Sequence, residues 1–191
     1  MNKTIGKASM ISEQEVIAAC QSGKKDMYRH LVEKYKERAY YTALLYTKNR
    51  DDALDLSQEA FYRAYKALNT FDNSRNFYTW FYQILKNLCI NFVTRKKKHS
   101  ALAEEHETGA VVTSSDQNPE EIFELNERNA LLWQALNRLN EKDREILILK
   151  EFNNLSYKEI AEALEIPLGS VMSRLYYARK RVLKEWEKLN G

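Results

Sequence analysis

Residues 154–184, NLSYKEIAEALEIPLGSVMSRLYYARKRVLK, decide the fold of the C-terminal part of this chain. Ser156 and Glu159 have the spacing of a capping box, which marks the start of a helix. Apolar residues then recur at helical spacing from Tyr157 onward. Pro167 suits the first position of a second helix, because its ring pre-sets φ and it has no N–H to leave unpaired. The pattern predicts a helix-turn-helix.

The second helix of this unit has one apolar side and one basic side. Its apolar stripe consists of Val171, Leu175, Ala178 and Val182. The opposite face carries Met172, Ser173, Arg174, Tyr177, Arg181 and Lys184. Such a face suits the major groove of duplex DNA, whereas the alternative is a helical hairpin with a solvated basic surface. Two short stripes cannot form a core alone, so we expect other helices to pack against them.

The composition favours an all-α protein of two small domains. The 191 residues include only 5 glycines and 2 prolines, which argues against the many turns of a β fold. No apolar run approaches the roughly 20 residues of a membrane-spanning helix, and residues 1–15 lack an apolar signal segment, so we expect a cytoplasmic protein. Cys20 and Cys89 fit no metal or redox spacing, and we expect free thiols and neither cofactor nor metal.

Charge divides the chain into blocks. Residues 1–100 carry a net charge of +8, and residues 101–127 carry −8 with no lysine or arginine. The basic block suggests a nucleic-acid partner, and the acidic block, with its weak periodicity, suggests a flexible linker. The predicted organisation is an N-terminal domain (12–98), a flexible acidic linker (99–118) and a C-terminal domain (119–189) that contains the helix-turn-helix.

Capping residues and periodicity predict the remaining helices. The predicted spans are Ser12–Gln21, Lys25–Lys48, a helix that opens at Asp51, a helix over Phe77–Lys98, a helix through Leu125–Leu139 and a helix over Asn140–Phe152. Thr70–Asn76 is predicted to be a loop because it is rich in turn residues.

The helix that opens at Asp51 has an acidic and amide face. Asp51, Asp55, Gln58 and Glu59 lie at i, i+4, i+7 and i+8, so they share one side of the helix. One interpretation is a solvated face that complements the helix dipole, and the other is a docking face for a basic partner helix.

The segment from Phe71 to Lys98 combines aromatic, amide and basic groups. The aromatic residues Phe71, Tyr78 and Trp80 lie at its loop end, and an i+4 row of Gln83, Asn87, Asn91 and Arg95 lies opposite the apolar stripe. Aromatic rings stack on bases, amides read base edges and the basic run contacts phosphates. The mixture favours binding of single-stranded nucleic acid, although most of the aromatic stripe is expected to be core.

Three segments, in this order, resemble an extracytoplasmic-function (ECF) sigma factor, a member of group IV of the bacterial housekeeping-sigma superfamily. DDALDLSQEAFYRAYKAL (51–68) resembles the segment that binds core polymerase. FYTWFYQILKNLCINFVTRKKK (77–98) resembles the promoter-melting segment, and LSYKEIAEALEIPLGSVMSRLYYARKRV (155–182) resembles the segment that recognises the upstream −35 element. The resemblance covers nearly everything except residues 1–11 and the linker.

The resemblance implies roles for the two N-terminal faces. It implies that the face of Asp51, Asp55, Gln58 and Glu59 docks on the clamp helices of the polymerase beta-prime subunit. It implies that the loop from Phe71 to Asn76, which includes Asn73 and Ser74, holds a flipped non-template base of the −10 element. Trp80 and Asn87 support or line that site, and we place Tyr78, Gln83 and Arg95 in the same candidate DNA surface.

For the C-terminal domain the resemblance implies recognition of duplex DNA. The candidate −35 surface consists of Tyr157, Ser170, Met172, Ser173, Arg174, Tyr176, Tyr177, Arg179 and Lys180. The implied partners are core polymerase (its clamp helices and beta flap), promoter DNA as duplex and as single strand, and an anti-sigma factor, which in this family is often membrane-bound. Polymerase supplies the catalysis, so we expect neither an enzyme nor a dedicated homo-oligomer.

The chain departs from the family pattern at positions that bear on its specificity. Many relatives have lysine or arginine at the position of Met172, and often a basic residue or histidine at the position of Tyr177. We therefore expect a −35 preference that differs from theirs. Many relatives also have glycine at the helix-to-helix turn, where this chain has Glu165, so the shape of that turn is expected to differ.

Two rival hypotheses belong to other classes. A dimeric helix-turn-helix regulator that acts without polymerase would need a dimer seam and a palindromic site. It would leave the face at Asp55–Glu59 and the segment at Phe77–Phe92 unexplained. A nuclease or nucleotide-binding enzyme would need a phosphate-binding loop, a nucleophile motif or a metal cluster, and no such motif is present in the sequence.

Overall fold

The computed structural model describes residues 11–104 and 127–190, and every regular element within these ranges is helical. The α-helices are α1 (Glu13–Gln21), α2 (Tyr28–Thr47), α3 (Arg50–Ala67), α4 (Phe77–Glu104), α5 (Glu127–Arg138), α6 (Glu141–Leu147), α7 (Tyr157–Leu164) and α8 (Leu168–Asn190). Short 3₁₀ turns occupy Lys25–Met27 and Leu68–Thr70, and a π-helical segment occupies Ile148–Phe152. The all-α prediction is confirmed.

Short polar side chains fix several helix starts, as the sequence predicts. The Ser12 hydroxyl accepts a hydrogen bond from the N–H of Glu15, and the Glu15 carboxylate accepts one from the N–H of Ser12. Ser156 and Glu159 repeat this box at α7. Asn49 caps α3 by accepting from the N–H of Asp52 at 3.0 Å. Each such cap stabilises its helix by about 1 kcal/mol.

The N-terminal domain is built from α2, α3 and α4, with α1 packed against α2. The rings of Phe61 (α3) and Phe81 (α4) stack with centroids 4.5 Å apart. The Tyr28 hydroxyl donates to the carbonyl of Phe61 at 2.8 Å, which satisfies a buried polar group. Phe77, Phe81 and Leu85 are fully buried, so the predicted apolar stripe of α4 is the centre of this core.

The C-terminal domain packs α8 against α5, α6 and α7. Val171, Leu175 and Ala178 of α8 are buried, as the sequence pattern predicts. α6 does not end as an α-helix but continues as the π-helical segment. At the end of this segment the N–H of Asn153 donates to the carbonyl of Ile148 at 2.9 Å. Nothing in the periodicity predicted this segment.

The two domains contact each other, and their buried side chains form one continuous cluster. Tyr41 of α2 stacks on Trp133 of α5 with centroids 5.7 Å apart. Phe152, at the end of the π-helical segment, packs against both rings. α4 lies along α7, so the helix with the predicted single-strand surface faces the helix-turn-helix unit.

Three boundaries differ from the predictions. α4 continues past Lys98 to Glu104, so residues 99–104 of the predicted linker are helical, in keeping with the good helix formers in this stretch. Lys25–Met27 is a 3₁₀ turn rather than the first turn of α2. Pro167 lies one residue before α8 and contributes its carbonyl to the first turn. The rest of the predicted linker and the start of the second domain, 105–126, lie outside the described residues.

Candidate nucleic-acid interface

The acidic side of α3 is open to solvent. Asp51, Asp55 and Gln58 are exposed, whereas Glu59 is half-buried and pairs with Arg63 at 2.7 Å. Two large apolar side chains lie exposed on this helix as well, Leu54 at 46% and Tyr62 at 57%. The sequence prediction of a polar face missed these two residues, although their i, i+8 spacing places them on either side of Gln58. Exposed aromatic and aliphatic groups among charges are typical of a protein-binding surface.

The basic end of α4 reaches the acidic start of α3. Lys96 pairs with Asp52 at 2.9 Å, and its ammonium group lies 5.7 Å from the centre of the Phe92 ring. Arg95 is exposed on the neighbouring position and bonds only weakly to the carbonyl of Asn91, at 3.4 Å. A cation at Arg95 is therefore available to a phosphate.

The loop before α4 is a compact polar turn. The Asp72 carboxylate accepts a hydrogen bond from the backbone N–H of Ser74 at 2.9 Å, and this bond lowers the pKa of Asp72. Asn73 donates to the carbonyl of Gln14 at 3.2 Å, which ties the loop to α1. Ser74 is exposed at the tip. Helix α4 starts at this loop because the Asn76 side chain accepts from the N–H of Thr79 at 3.0 Å.

The aromatic residues at this loop divide into a buried and a half-exposed group. Phe71 is buried, and its ring lies 4.8 Å from that of Trp80, which is half-exposed. Tyr78 is 1% exposed, and its hydroxyl lies 3.2 Å from that of Thr42 inside the core. The prediction that Tyr78 contacts DNA directly does not fit this position, because its ring is buried in the core, with its centroid 5.1 Å from that of Tyr35 of α2. Burial raises the pKa of Tyr78 well above its ordinary value.

The amide row of α4 is only partly open. Asn87 is exposed, as are Asn91 and Arg95 further along the helix. Gln83 is half-buried, because its amide nitrogen donates to the carbonyl of Ala163 in α7 at 2.5 Å. The structure therefore keeps Asn87 available to a base, whereas Gln83 is already occupied by the C-terminal domain.

The helix-turn-helix unit consists of α7, a tight turn and α8. Glu165 ends α7 with φ 54 and ψ 44, the left-handed conformation that glycine adopts most readily. The turn closes with the N–H of Ile166 donating to the carbonyl of Ala161 at 3.0 Å. Glu165 therefore adopts the left-handed conformation despite its Cβ, and the expectation of a turn shaped differently from that of relatives stays a prediction.

The outer face of α8 is aromatic, apolar and basic. Met172, Tyr176 and Tyr177 are each more than half exposed. The ammonium group of Lys180 lies 4.6 Å from the centre of the Tyr176 ring. Ser173 is exposed, while Ser170, Arg174 and Tyr157 are half-buried at the edges of this face. Most of the predicted −35 surface thus lies on one side of the unit.

Two arginines of α8 have structural partners that the sequence did not reveal. Arg179 pairs with Glu151 at 2.7 Å, and the hydrogen bond to that carboxylate raises the pKa of Arg179. Arg181 pairs at 2.6 Å with Asp143, whose side chain is only 7% exposed. Both carboxylates come from elements outside the motif, α6 and the π-helical segment, so no local spacing could have identified them.

Among the described residues there is no group of three histidine, cysteine, aspartate or glutamate side chains that could hold a metal ion. Nor is any helix of the described ranges long and apolar enough to cross a membrane.

Two family matches follow the two helical domains. Residues 31–99 match Sigma-70 region 2, which places the match over α2, α3 and most of α4. Residues 129–182 match Sigma-70 region 4, from α5 into α8. The two matches are in the order that the three sequence segments had indicated.

The chain is similar over most of its length to curated sigma factors. It is 31% identical over 183 residues to the RNA polymerase sigma-H factor of Pseudomonas aeruginosa, covering 93% of this chain and 95% of that protein. It is 32% identical over 179 residues to the ECF RNA polymerase sigma factor SigW of Bacillus subtilis, covering 91% and 96%.

Solved structures share the fold. CnrH, in complex with the cytosolic domain of CnrY, matches with a TM-score of 0.70 at 20% identity, over 92% of this chain and 97% of the CnrH chain. The sigma factor RpoE of Bartonella quintana, in complex with the anti-sigma factor NepR, matches with a TM-score of 0.63 at 21% identity, over 84% and 96%.

Proposed function

This chain belongs to the ECF sigma factors of bacterial RNA polymerase, and from that premise we propose which of its surfaces meets which partner. Sigma factors are transcription initiation factors, and this one acts by binding rather than by bond-making. The observation that carries the proposal is the match of both sigma regions, in order, over two domains whose exposed faces hold candidate residues such as Asp55, Asn87 and Met172. The proposed site of action is the cytoplasm, where polymerase and promoters are.

The outer side of α3 is the proposed docking site for the clamp helices of the beta-prime subunit. Asp51, Asp55 and Gln58 are exposed there and would meet a basic partner helix. The exposed side chains of Leu54 and Tyr62 would supply apolar contact area beside the charges. Contact of the C-terminal domain with the beta flap completes the proposed interaction with core polymerase.

The loop over residues 71–76 and the start of α4 are the proposed −10 site. A base that leaves the stack costs a few kcal/mol. The half-exposed ring of Trp80, held by Phe71, offers a stacking surface, and the exposed amide of Asn87 offers a donor and an acceptor. Capture of an extruded base at this site would offset the unstacking and couple sequence recognition to strand opening.

The outer face of α8 is the proposed −35 reader. Met172 and Tyr177 project from it, so thymine methyl groups and base edges are the expected contacts. Lys180, Ser173 and Arg174 would hold the phosphate backbone. Arg179 is a weaker candidate, because its guanidinium already pairs with Glu151.

An anti-sigma factor is a proposed partner, and whether it is membrane-bound follows from the resemblance alone. The RpoE structure that shares this fold was solved with an anti-sigma factor, which supports this proposal. The rival hypothesis of a dimeric regulator without polymerase is not favoured, because the matches to sigma factors cover region 2 as well as the helix-turn-helix.

The test mixes the pure protein with core RNA polymerase and genomic DNA and maps transcript starts. We expect new start sites that share a −10 and a −35 element. The double variant Asp55→Asn/Gln58→Ala should lose affinity for core polymerase, whereas Glu37→Gln, an exposed carboxylate on α2, should not. Failure to bind core polymerase, or binding without new start sites, would refute the proposal.

The −10 site has its own prediction. Asn87→Ala removes an exposed amide without disturbing the core, so polymerase binding should stay unchanged while promoter opening declines. Loss of one bidentate base contact corresponds to about 1–3 kcal/mol. Opening is measured by permanganate reactivity of unpaired thymines, and binding by competition with a reference sigma factor. Equal losses in both measurements would show that Asn87 does not read a base.

A further inference from the structure

The outer side of α4 carries a large apolar side chain among polar neighbours. Ile90 is 40% exposed, and within residues 77–98, where the structure describes the side chains of this helix, it is the large apolar residue that lies exposed. Leu88 and Cys89 beside it are buried in the core. A single exposed isoleucine on a protein surface needs no special explanation, so this exposure matters only because of where Ile90 lies.

Ile90 belongs to the row of side chains that continues the proposed −10 site along α4. It follows the exposed amide of Asn87 by three residues and precedes the exposed Thr94 by four, so the three side chains share one side of the helix. At a rise of about 1.5 Å per residue, Ile90 lies roughly 4.5 Å along the helix axis from Asn87. Neighbouring bases of one strand are about 3.4 Å apart. The base next to one held at Asn87 would therefore meet Ile90.

The two ends of α4 suit different forms of DNA. The end near the loop has the half-exposed ring of Trp80, and aromatic rings stack on unpaired bases. The other end has the exposed cations Arg95, Lys97 and Lys98. Duplex DNA has one phosphate charge per about 1.7 Å of its axis, twice the density of one strand, so the duplex fits the basic end better. Ile90 lies between the two ends, where paired DNA would give way to the opened strand.

An aliphatic side chain at this place has a defined chemical preference. In the major groove the base pairs present hydrogen-bond donors and acceptors and one apolar group, the C5-methyl group of thymine, which side chains recognise by apolar contact. The amides of Asn87 and Asn91 suit the donors and acceptors, and Arg95 suits a phosphate. The side chain of Ile90 can make no hydrogen bond and suits the methyl group.

We propose that Ile90 is a specificity residue for the −10 element and contacts the methyl group of a thymine in the last base pair upstream of the extruded base. Asn87 reads the extruded base by hydrogen bonds, and Ile90 reads its paired neighbour by apolar contact. One turn of α4 thus recognises both sides of the junction between duplex and single strand. This inference rests on the proposed −10 function of the loop and α4, and it adds the chemical identity of a neighbouring base.

The test uses the holoenzyme, formed from core polymerase and the full chain, and a fork-junction fragment that is duplex upstream and single-stranded downstream of the last base pair. The fragment has the sequence of a promoter mapped with this holoenzyme. Deoxyuracil replaces the thymine of the last base pair in a second fragment, which removes the methyl group alone. Dissociation constants are measured for the unchanged chain, for Ile90→Ala and for Leu183→Ala. Leu183 is 54% exposed on α8, outside the proposed DNA surfaces, and Leu183→Ala is the matched control.

We expect the unchanged chain to bind the uracil fragment about fourfold more weakly than the thymine fragment, the factor that corresponds to burial of one methyl group. Ile90→Ala should bind the thymine fragment at least about fourfold more weakly than the unchanged chain does, and it should bind the two fragments equally. Leu183→Ala should keep the difference between the fragments.

Three results would overturn the proposal: equal binding of both fragments by the unchanged chain, an undiminished difference in Ile90→Ala, or mapped promoters without thymine in the last base pair. If Asn87→Ala impairs promoter opening while any of these results is found, only the role of Ile90 fails. If the holoenzyme binds neither fragment, the proposed −10 function fails, and the role of Ile90 fails with it.

Discussion

Glu165 is a non-glycine residue in a backbone conformation that favours glycine, and the fold tolerates it. Its left-handed conformation costs a non-glycine residue about 1 kcal/mol. Glu165→Gly should remove this strain, partly offset by the greater freedom of glycine in the unfolded chain. We expect the free energy of unfolding to rise by about 0.5 kcal/mol, which is measured as a higher urea concentration at the unfolding midpoint.

The control for this change is Glu165→Ala, which removes the carboxylate but keeps the Cβ that causes the strain. Alanine should give no gain in the urea midpoint. If the alanine and glycine variants shifted the midpoint equally, the charge of Glu165 and not its backbone would be the source of the effect.

Cys89 is a second residue whose surroundings set its chemistry. It is fully buried in α4, and burial raises the pKa of its thiol to about 12 from an ordinary value of 9.0. The folded thiol stays protonated where the unfolded one ionises, so this group's contribution to stability is complete below pH 9 and declines as the pH rises toward 12.

The same burial predicts that Cys89 resists alkylation. Iodoacetamide at mildly alkaline pH should leave Cys89 unmodified in the folded chain and modify it once urea has unfolded the protein, because only the exposed thiolate reacts. Peptide mass spectrometry distinguishes it from Cys20. Modification of Cys89 in the folded chain at the rate of a free thiol would contradict its burial.

The sequence alone predicted both thiols as free, but it misjudged Tyr78. Four aromatic residues, Phe77, Tyr78, Trp80 and Phe81, lie within one and a half turns of α4. A helix packed on one side would have exposed some of them. Because α2 and α3 both pack against α4, Phe77, Tyr78 and Phe81 are all buried and only Trp80 is half-exposed.

At the scale of elements, the proposed −35 surface of α8 assigns base reading and phosphate binding to different residues. Met172 offers no charge, so Met172→Ala should change which −35 bases are preferred, by about 1 kcal/mol at the affected position. Lys180→Ala should weaken binding to all −35 sequences alike. It should also reduce the slope of log affinity against log salt concentration by about one. Both are measured with the holoenzyme on a promoter and its −35 point variants.

Arg179 supplies the comparison within the same helix. Since its guanidinium pairs with Glu151, Arg179→Ala should lower stability by at most about 1 kcal/mol and leave the salt dependence nearly unchanged. A salt dependence that fell as much as in Lys180→Ala would instead assign Arg179 to the phosphate contacts.

Helix starts were predictable here because each has a local cause. Ser12, Asn49, Asn140 and Ser156 all cap the helices that the sequence indicated. The π-helical segment was not predictable, since the apolar residues Ile148 and Leu149 fit an α-helix equally well. Phe152 at its end packs against Tyr41 and Trp133, which come from elsewhere in the chain and leave no trace in the local pattern.

At the scale of the whole molecule, the fold class and the order of the segments followed from the sequence, whereas the contact between the domains did not. That contact depends on pairs such as Tyr46 with Glu145, which are 99 positions apart. Each partner taken alone has an ordinary local role, tyrosine as a core residue of α2 and glutamate as a helix former in α6. Only the joined structure shows that they belong to one buried network.

The last prediction concerns how the two domains unfold. Thr42→Val keeps the shape of the side chain but leaves the amide of Asn153 buried without its partner, which costs about 1–3 kcal/mol. This cost falls on the contact between the domains, so the C-terminal domain should unfold before the N-terminal domain in urea. Thr47→Val is the control, because the Thr47 hydroxyl bonds only to backbone groups near the end of α2: it donates to the carbonyls of Ala43 and Asn49 and accepts from the N–H of Asn49. Hydrogen exchange should show α2 and α8 losing their amide protection at different urea concentrations in Thr42→Val. In Thr47→Val the two helices should lose it at the same concentration. If α2 and α8 lost protection together in both variants, Thr42 would contribute nothing to the contact between the domains, which would then depend on its other contacts, such as the stacking of Tyr41 on Trp133.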